Sequence, residues 1–415
     1  MSTSSTTWAH PAAPARPARS TTTRRSSRAC RRWARTDRVT GASAARGSSA
    51  RRRVSAALPD FPWDTIAGAR ATAAARPGGL VDLSVGTPVD PVAPIIRDAL
   101  AAASAFPGYP TTVGTAELRD AAAAALTRRY GTVELSGDQI LPVIGTKEAI
   151  AGICSVLGLG SDSTVVIPTV AYPTYEVSAL LAGARALRAD AAVDADADLV
   201  FVNSPSNPTG AVTGIDELRE VVARARRHGA VVVSDECYLG LAWDAEPVSI
   251  LDPRVCDGDA TGLLAVHSLS KISNLASYRA GFFAGDADLV AELLAVRKHS
   301  GLMVPFPIQA AMTAALNDDR HVQEQADRYR ARRDVLKPAV VEAGLRVDHS
   351  EAGLYLWATR DEDARITHHW LAERGILAAP GDFYGPAGAT HVRIALTASD
   401  EQIAEAARRL TAPAV

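Results

Sequence analysis

Residues 197–238 read ADLVFVNSPSNPTGAVTGIDELREVVARARRHGAVVVSDECY. Two short apolar runs, one around LVFV and one around VVV, flank a charged stretch, IDELREVVARARRHG. Neither run alternates apolar with polar residues, which suits strands buried on both faces. The charged stretch between them predicts a helix closed by Gly229. A strand, a helix and a second strand in this order argue for an α/β fold around a mainly parallel sheet.

Outward from there the pattern repeats. Apolar runs recur at ILPVIG (140–145), STVVIP (163–168), GLLAVHS (262–268) and AGFFAG (280–285). Towards the N-terminus, residues 91–103 predict one helix. A second runs over VGTAELRDAAAAALTRRYG, opened by Thr115 as N-cap and closed by Gly131. From about Val304 the character changes. A long helical stretch (321–344) is followed by LRVDHSEAGLYLWAT (345–359), a helix near ITHHWLAERG, a strand HVRIALT (391–397) and a last helix, DEQIAEAARRL. The domain reading is thus a large α/β domain over 91–303 and a smaller α+β domain over 304–415, which segment 54–90 joins.

Composition bounds the rest. The chain has 415 residues, 47% hydrophobic and 22% charged, which is ordinary for a soluble enzyme. No apolar run is long enough for a transmembrane helix. Cys30, Cys154, Cys237 and Cys256 form no C-x-x-C pair, so neither a disulfide framework nor a zinc site is expected, and a reducing, cytoplasmic setting fits. His368 and His369 are adjacent and read as surface residues; no metal site is expected. Residues 1–53 hold thirteen arginines and one acid, Asp37, a net +12 against −14 for the remainder. This tail is Ser-, Thr-, Ala- and Pro-rich without a hydrophobic period, so disorder is expected. A nucleic-acid contact, a transit peptide, or a non-functional extension from an early start codon would each explain it. The absence of an amphipathic stripe favours the last.

Candidate chemistry gathers at strand ends. Lysine is scarce: Lys147, Lys271, Lys298 and Lys337. Lys271 follows a buried-type strand in HSLSKISNLASYRAGF, where α/β proteins place ligands. Asp235 ends another strand, where a lone carboxylate is costly unless paired. Tyr238 stands three residues on. Asn207 follows a third strand in FVNSPSNPTG. Backbone N–H groups of Gly145, Thr146 and Lys147, at a glycine turn opening a helix, suit a phosphate, and Ser268, Ser270 and Arg279 could complete its cradle. Together these fit pyridoxal 5′-phosphate: an amine to carry it as a Schiff base, an acid against its pyridine nitrogen, donors for its phenolic oxygen and a phosphate site. Each residue alone has an ordinary structural explanation, such as a loop lysine, a helix cap or an Asn-Pro turn; their combination is what points to the cofactor.

NPTG, SDECY, SLSK followed eight residues later by Arg279, and GYPTTVGTAELR, in this order across residues 58–410, resemble the class I/II aminotransferases of fold type I. The resemblance implies a seven-stranded sheet and a homodimer with active sites at the subunit interface. It implies that Tyr109 reaches the partner's phosphate, that Tyr172 stacks on the pyridine ring, that Gly86 lines the substrate pocket and that Arg393 pairs the substrate α-carboxylate. It further implies that Lys271 moves the α-proton and that 2-oxoglutarate accepts the amino group. Finer wording (FPWDT, DLSVGTPVDPV, IGTKE, AYPTYEV, RKHSGLMVPFPIQAAM, SEAGLYLWATRDE) is similar to actinobacterial-type N-succinyldiaminopimelate aminotransferases. A substrate with several carboxylates would want further cations, for which Arg297, Lys298 and Lys147 are candidates. The alternatives are a broad-specificity aspartate, alanine or aromatic aminotransferase and a carbon–sulfur β-lyase on the same core. More remote is a transcriptional regulator, for which residues 1–53 lack a helix-turn-helix periodicity.

Overall fold

The computed structural model describes residues 53–189 and 196–412. The tail expected to be disordered lies outside the described residues, apart from Arg53. The central sheet has seven strands, in spatial order Ile140–Ile144, Ala280–Gly285, Leu263–Ser268, Val231–Asp235, Leu199–Asn203, Thr164–Ile167 and Arg185–Arg188. Ala280–Gly285 runs antiparallel to both its neighbours, and the other pairings are parallel. The α/β class and the mainly parallel, seven-stranded sheet therefore stand.

Both faces of this sheet are covered, which is why its strands lack alternation. Val202 and Val232 pack into the core on one face, while Phe201 and Val233 pack into the core on the other. Each such side chain contributes about 1.5–3 kcal/mol on burial. Six of the seven strands coincide with the apolar runs. The seventh, Arg185–Arg188, does not: it sits at the sheet edge and is only partly buried, so it tolerates two arginines.

The helix Ile215–His228 has Asp216 and Glu217 in its first turn and Arg226, Arg227 and His228 in its last, charges that complement its dipole. Gly229 then ends it in the left-handed region, at φ 68°. The helix Ala116–Tyr130 begins as expected: the Thr115 hydroxyl accepts from the Leu118 N–H, and Gly131 closes it at φ 63°. The helix expected from residue 91 begins only at Pro94. A proline fits the first turn, where no N–H partner is lost.

A second sheet is antiparallel, in the order Ala379–Pro380, His391–Ala395, Tyr355–Thr359, Arg346–Asp348. Helices Arg320–Glu342 and Asp400–Thr411 supply Leu336, Val340, Ile403 and Leu410 to its core. Val81–Asp82 pairs in parallel with Ile376–Leu377. One expectation fails on the helix Ala364–Glu373. His368 is buried, not on the surface, because it shares an inward face with Ala364, Thr367 and Leu371. Burial pushes its imidazole down to about 4, so it is neutral. Among the described residues no group of His, Cys, Asp or Glu is arranged to hold a metal, and no helix is long and apolar enough to cross a membrane.

Candidate active site

The C-terminal ends of the parallel strands converge. Asn203 and Asp235 are register partners at the ends of adjacent strands, and Ser268 ends the next strand over. Ser268 then caps a single helical turn, Leu269–Ile272: its hydroxyl accepts from the Ser270 N–H at 3.1 Å. That turn lifts Lys271 into a cavity of about 740 Å³. Twelve of the fourteen site residues expected from sequence line this cavity: Gly86, Thr146, Lys147, Tyr172, Asn207, Asp235, Tyr238, Ser268, Ser270, Lys271, Arg279 and Arg393. Gly145 and Tyr109 do not.

Asp235 is buried, and its carboxylate has two neutral donors. The Tyr175 hydroxyl donates to Oδ2 at 2.8 Å and the Cys237 N–H donates to Oδ1 at 3.2 Å. Burial still raises it above the ordinary carboxylate value, with the Cys237 and Tyr175 hydrogen bonds opposing. Asn203 holds the strand end in place by donating from Nδ2 to the Asp235 carbonyl at 2.9 Å, while its Oδ1 accepts the Asn207 N–H at 2.7 Å. The Lys271 amine donates to the Gly86 carbonyl. Burial lowers it from the ordinary lysine value, so it loses its proton more readily than a surface lysine.

Arg393 is 3% exposed, and its hydrogen bonds run to neutral oxygens: Nη1 to Asn207 Oδ1 at 2.9 Å and Nη2 to the Ser84 carbonyl at 2.7 Å. Its Nε is buried without a partner. A buried guanidinium is costly without a counter-charge, so this one suits an incoming carboxylate. Its Cζ lies 4.0 Å from the centroid of the Tyr355 ring. Tyr355 stands diagonal to Arg393 on one face of the small sheet, since Trp357 is the register partner of Arg393. The hydroxyls of Tyr355 and Tyr238 are 3.0 Å apart. Burial would raise Tyr355, but the charges of Arg393 and Lys271 and the bond from Tyr238 outweigh it, and its value falls.

Two glycines act by leaving room. A Cβ on Gly86 would sit 2.2 Å from the Tyr355 hydroxyl, and one on Gly145 would sit 2.2 Å from Arg279 Nη2. Gly145 also has φ 77° and ψ 147°, a region close to glycine-only. The expectation for Gly145 is thereby changed. Its N–H donates to the Val143 carbonyl at 2.8 Å and is not offered to a phosphate. The first N–H groups of the helix Thr146–Val156 have no partner within the helix and remain suited to an anion.

The three candidate cations separate. Arg297 is buried and paired with Glu148 at 2.9 Å, away from the cavity. Lys298 is exposed and does not line the cavity. Lys147 does, with its amine 5.5 Å from the centroid of Phe61. Phe61 and Trp63 are lining residues that sequence reasoning missed, although both stand in FPWDT. Tyr175, Asn203 and Tyr355 were missed as well. The signal for Tyr175 was the second tyrosine of AYPTY. Tyr109 is 96% exposed.

This fold and this constellation belong to the class I/II aminotransferases. The family model for aminotransferase class I and II matches residues 79–410, and the chain is a member of that family. It is 64% identical over 374 residues to a probable aminotransferase of Mycobacterium tuberculosis, covering 89% of this chain and 88% of the relative. It is 56% identical over 357 residues to the 4-dedimethylamino-4-oxo-anhydrotetracycline transaminase OxyQ of Streptomyces rimosus, covering 85% of this chain and 99% of that one. Among solved structures, an aminotransferase from Neisseria meningitidis matches with a TM-score of 0.79 at 31% identity, over 86% of this chain and 98% of its own.

The family's cofactor is pyridoxal phosphate, and the donor set suits it. A depressed amine, a buried carboxylate served only by neutral donors among its hydrogen bonds, and an arginine with space kept by Gly145 surround one cavity.

Proposed function

We propose that this aminotransferase moves the amino group between N-succinyl-LL-2,6-diaminopimelate and 2-oxoglutarate, in lysine and diaminopimelate biosynthesis. The supporting observation is that, besides Lys271 and Arg279, two further cations line the one cavity. Arg393 is buried against neutral oxygens, and Lys147 is exposed. A long substrate with carboxylates at both ends would use both cations, whereas a small amino acid would use only one.

Bound pyridoxal phosphate supplies the electron-withdrawing ring that makes the substrate's α-proton acidic. In this reading Asp235, whose carboxylate is served by Tyr175 and Cys237, would hold a proton at the ring nitrogen. Tyr238 and Asn207 serve the phenolic oxygen. Tyr172 packs on the ring. Arg279, Ser268, Ser270 and the N–H groups of Thr146 and Lys147 serve the phosphate. Arg393 grips the α-carboxylate with its planar fork and so fixes the direction of the Cα–H bond. Lys271 takes and returns a proton at Nζ. Phe61 and Trp63 keep water from the mouth.

A panel of amino donors with 2-oxoglutarate tests the substrate. The expected kcat/KM for N-succinyl-diaminopimelate is about 100-fold above aspartate, alanine and phenylalanine. Equal rates across the panel would replace this reading with a broad-specificity aminotransferase, and release of pyruvate with ammonia would replace it with a β-lyase. The 56% identity to the S. rimosus enzyme supports a second reading, a large ring ketone as amino acceptor, so the substrate printed in that enzyme's name belongs in the panel.

We also propose a homodimer in which the exposed Tyr109 serves the partner's phosphate. Sedimentation should give twice the mass of one chain. Tyr109→Phe should weaken cofactor binding about tenfold, the worth of one hydrogen bond to a charged group, while leaving the dimer intact. A monomer, or unchanged cofactor affinity in that variant, speaks against the arrangement.

A further inference from the structure

Behind Asp235 lies a polar cluster that the mechanism above does not use. Glu236 points away from the cofactor cavity and is 2% exposed. Its Oε1 accepts from the Ser234 hydroxyl at 2.9 Å and the Ile250 N–H at 2.7 Å. Its Oε2 accepts from the Ser249 hydroxyl at 2.8 Å and stands 3.3 Å from His267 Nε2. The His267 ring is held between Tyr130 and Phe282, stacked at centroid distances of 6.0 Å and 5.3 Å. Glu236 also donates its N–H to the Val266 carbonyl at 3.0 Å. A small void of about 20 Å³ adjoins the pair and reaches Arg129, Tyr130, Cys237 and Ser268.

The placing of this cluster gives it a consequence. Glu236 is the residue after Asp235, and His267 precedes Ser268, the cap of the turn that carries Lys271. His267 Nε2 makes no hydrogen bond, so the two side chains meet as a packing contact across the adjacent strand ends that bear the acid and the amine.

We propose that Glu236 is a positioning residue for amino transfer: held by Ser234, Ser249 and Ile250 and packed against His267, it fixes where the Asp235 carboxylate stands relative to Lys271 and contributes a charge that the site senses. The proposal rests on the roles given above to Asp235 and Lys271, not on the identity of the substrate. Burial raises Glu236 to about 7, with the neighbouring Asp235 charge adding to the rise and the hydrogen bonds from Ile250, Ser249 and Ser234 opposing it. Burial lowers His267 to about 3. As pH rises through neutral, Glu236 therefore takes up its negative charge while His267 stays neutral. The titratable and charged groups facing it are Asp235 and Cys237 on its own segment, His267 on the neighbouring strand, and Arg129 and Tyr130 on the helix Ala116–Tyr130. The Ser249–Ile250 turn brings only neutral donors.

Glu236→Gln keeps the shape and hydrogen bonds of the protonated form and cannot ionise. In the cofactor-loaded protein, the pH midpoint of the cofactor's visible absorbance should move down by about half a unit, because a negative charge that favoured the protonated form is gone. KM should stay within about twofold, since Arg393 is untouched. Glu236→Ala leaves the Ile250 N–H and two hydroxyls unpaired, and kcat should fall about tenfold or more at similar KM. If Glu236→Ala does not fold, His267→Gln replaces it with the same expectation for kcat. A midpoint unmoved in Glu236→Gln would overturn the proposal, as would a folded Glu236→Ala or His267→Gln with wild-type kcat. Loss of the spectral signal already in the wild type would instead indict the assignment of Lys271.

Discussion

In Lys271→Ala, borohydride reduction followed by mass spectrometry is expected to find no cofactor fixed to the chain, and kcat is expected to fall about 10⁴-fold, the upper range for a positioned general base. Two separate capacities vanish together. The alanine offers no amine to bind the cofactor covalently, and it offers no group at Nζ to take the substrate's proton. Lys271→Arg separates charge from proton transfer, because a guanidinium keeps the charge but cannot release its proton; it should be as inactive as the alanine. The pH dependence follows from burial. The Lys271 amine is held below the ordinary lysine value, so in the wild type its basic form is populated at lower pH than on a surface lysine, and activity should rise as pH increases through that lowered value. Lys298→Ala serves as the control, since this lysine is exposed and lies off the cavity. Retention of a tenth of wild-type kcat by Lys271→Ala would remove the base from Lys271.

Much of the fold was legible because its signals are local. Strands buried on both faces announce themselves as short Val- and Ile-rich runs, and helix ends at Thr115, Gly131 and Gly229 carry their own caps. Lys271, Asp235 and Asn207 were legible because each follows or ends such a run, and Arg279 because it stands directly before one. What escaped was long-range or depended on helical phase. Tyr355 meets Arg393 only through the pairing of Tyr355–Thr359 with His391–Ala395, and no local pattern encodes that register. Arg297 resembled a surface cation beside Lys298. Yet it shares the face of Val290 and Leu293 at spacings of seven and four, which turns it inward onto Glu148. His368 was misplaced for the same reason. The edge strand Arg185–Arg188 escaped because partial exposure releases it from the apolar rule that marks the other six strands of the sheet.

Asp235→Asn should leave the fold intact and lower kcat about 10³-fold, the size of effect expected when a preorganised charge is withdrawn from a buried site. Asparagine keeps the shape, and its Oδ1 can still accept from Tyr175 or Cys237. It cannot hold a proton at the ring nitrogen, so the α-carbon loses the sink for its negative charge. KM should change little, because Arg393 and its partners Asn207 and Ser84 are untouched. Stability should move the other way. Burial raises the folded-state value of Asp235, so its ionisation in the cofactor-free protein costs stability that is fully present below the unfolded value of about 3.9 and lost as pH rises through the raised one. The cofactor-free Asn variant should therefore melt above the cofactor-free wild type at neutral pH, a gain in stability bought with function. Tyr175→Phe gives the intermediate case. Removing one donor raises Asp235 further, so its loss in kcat should be deepest at low pH and recover as pH increases. Stopped-flow single turnovers on the cofactor-loaded variants and thermal melts on the cofactor-free ones test these expectations. An Asp235→Asn variant with more than a tenth of wild-type kcat would mean that this carboxylate does not hold the ring nitrogen's proton, whatever else lines the cavity.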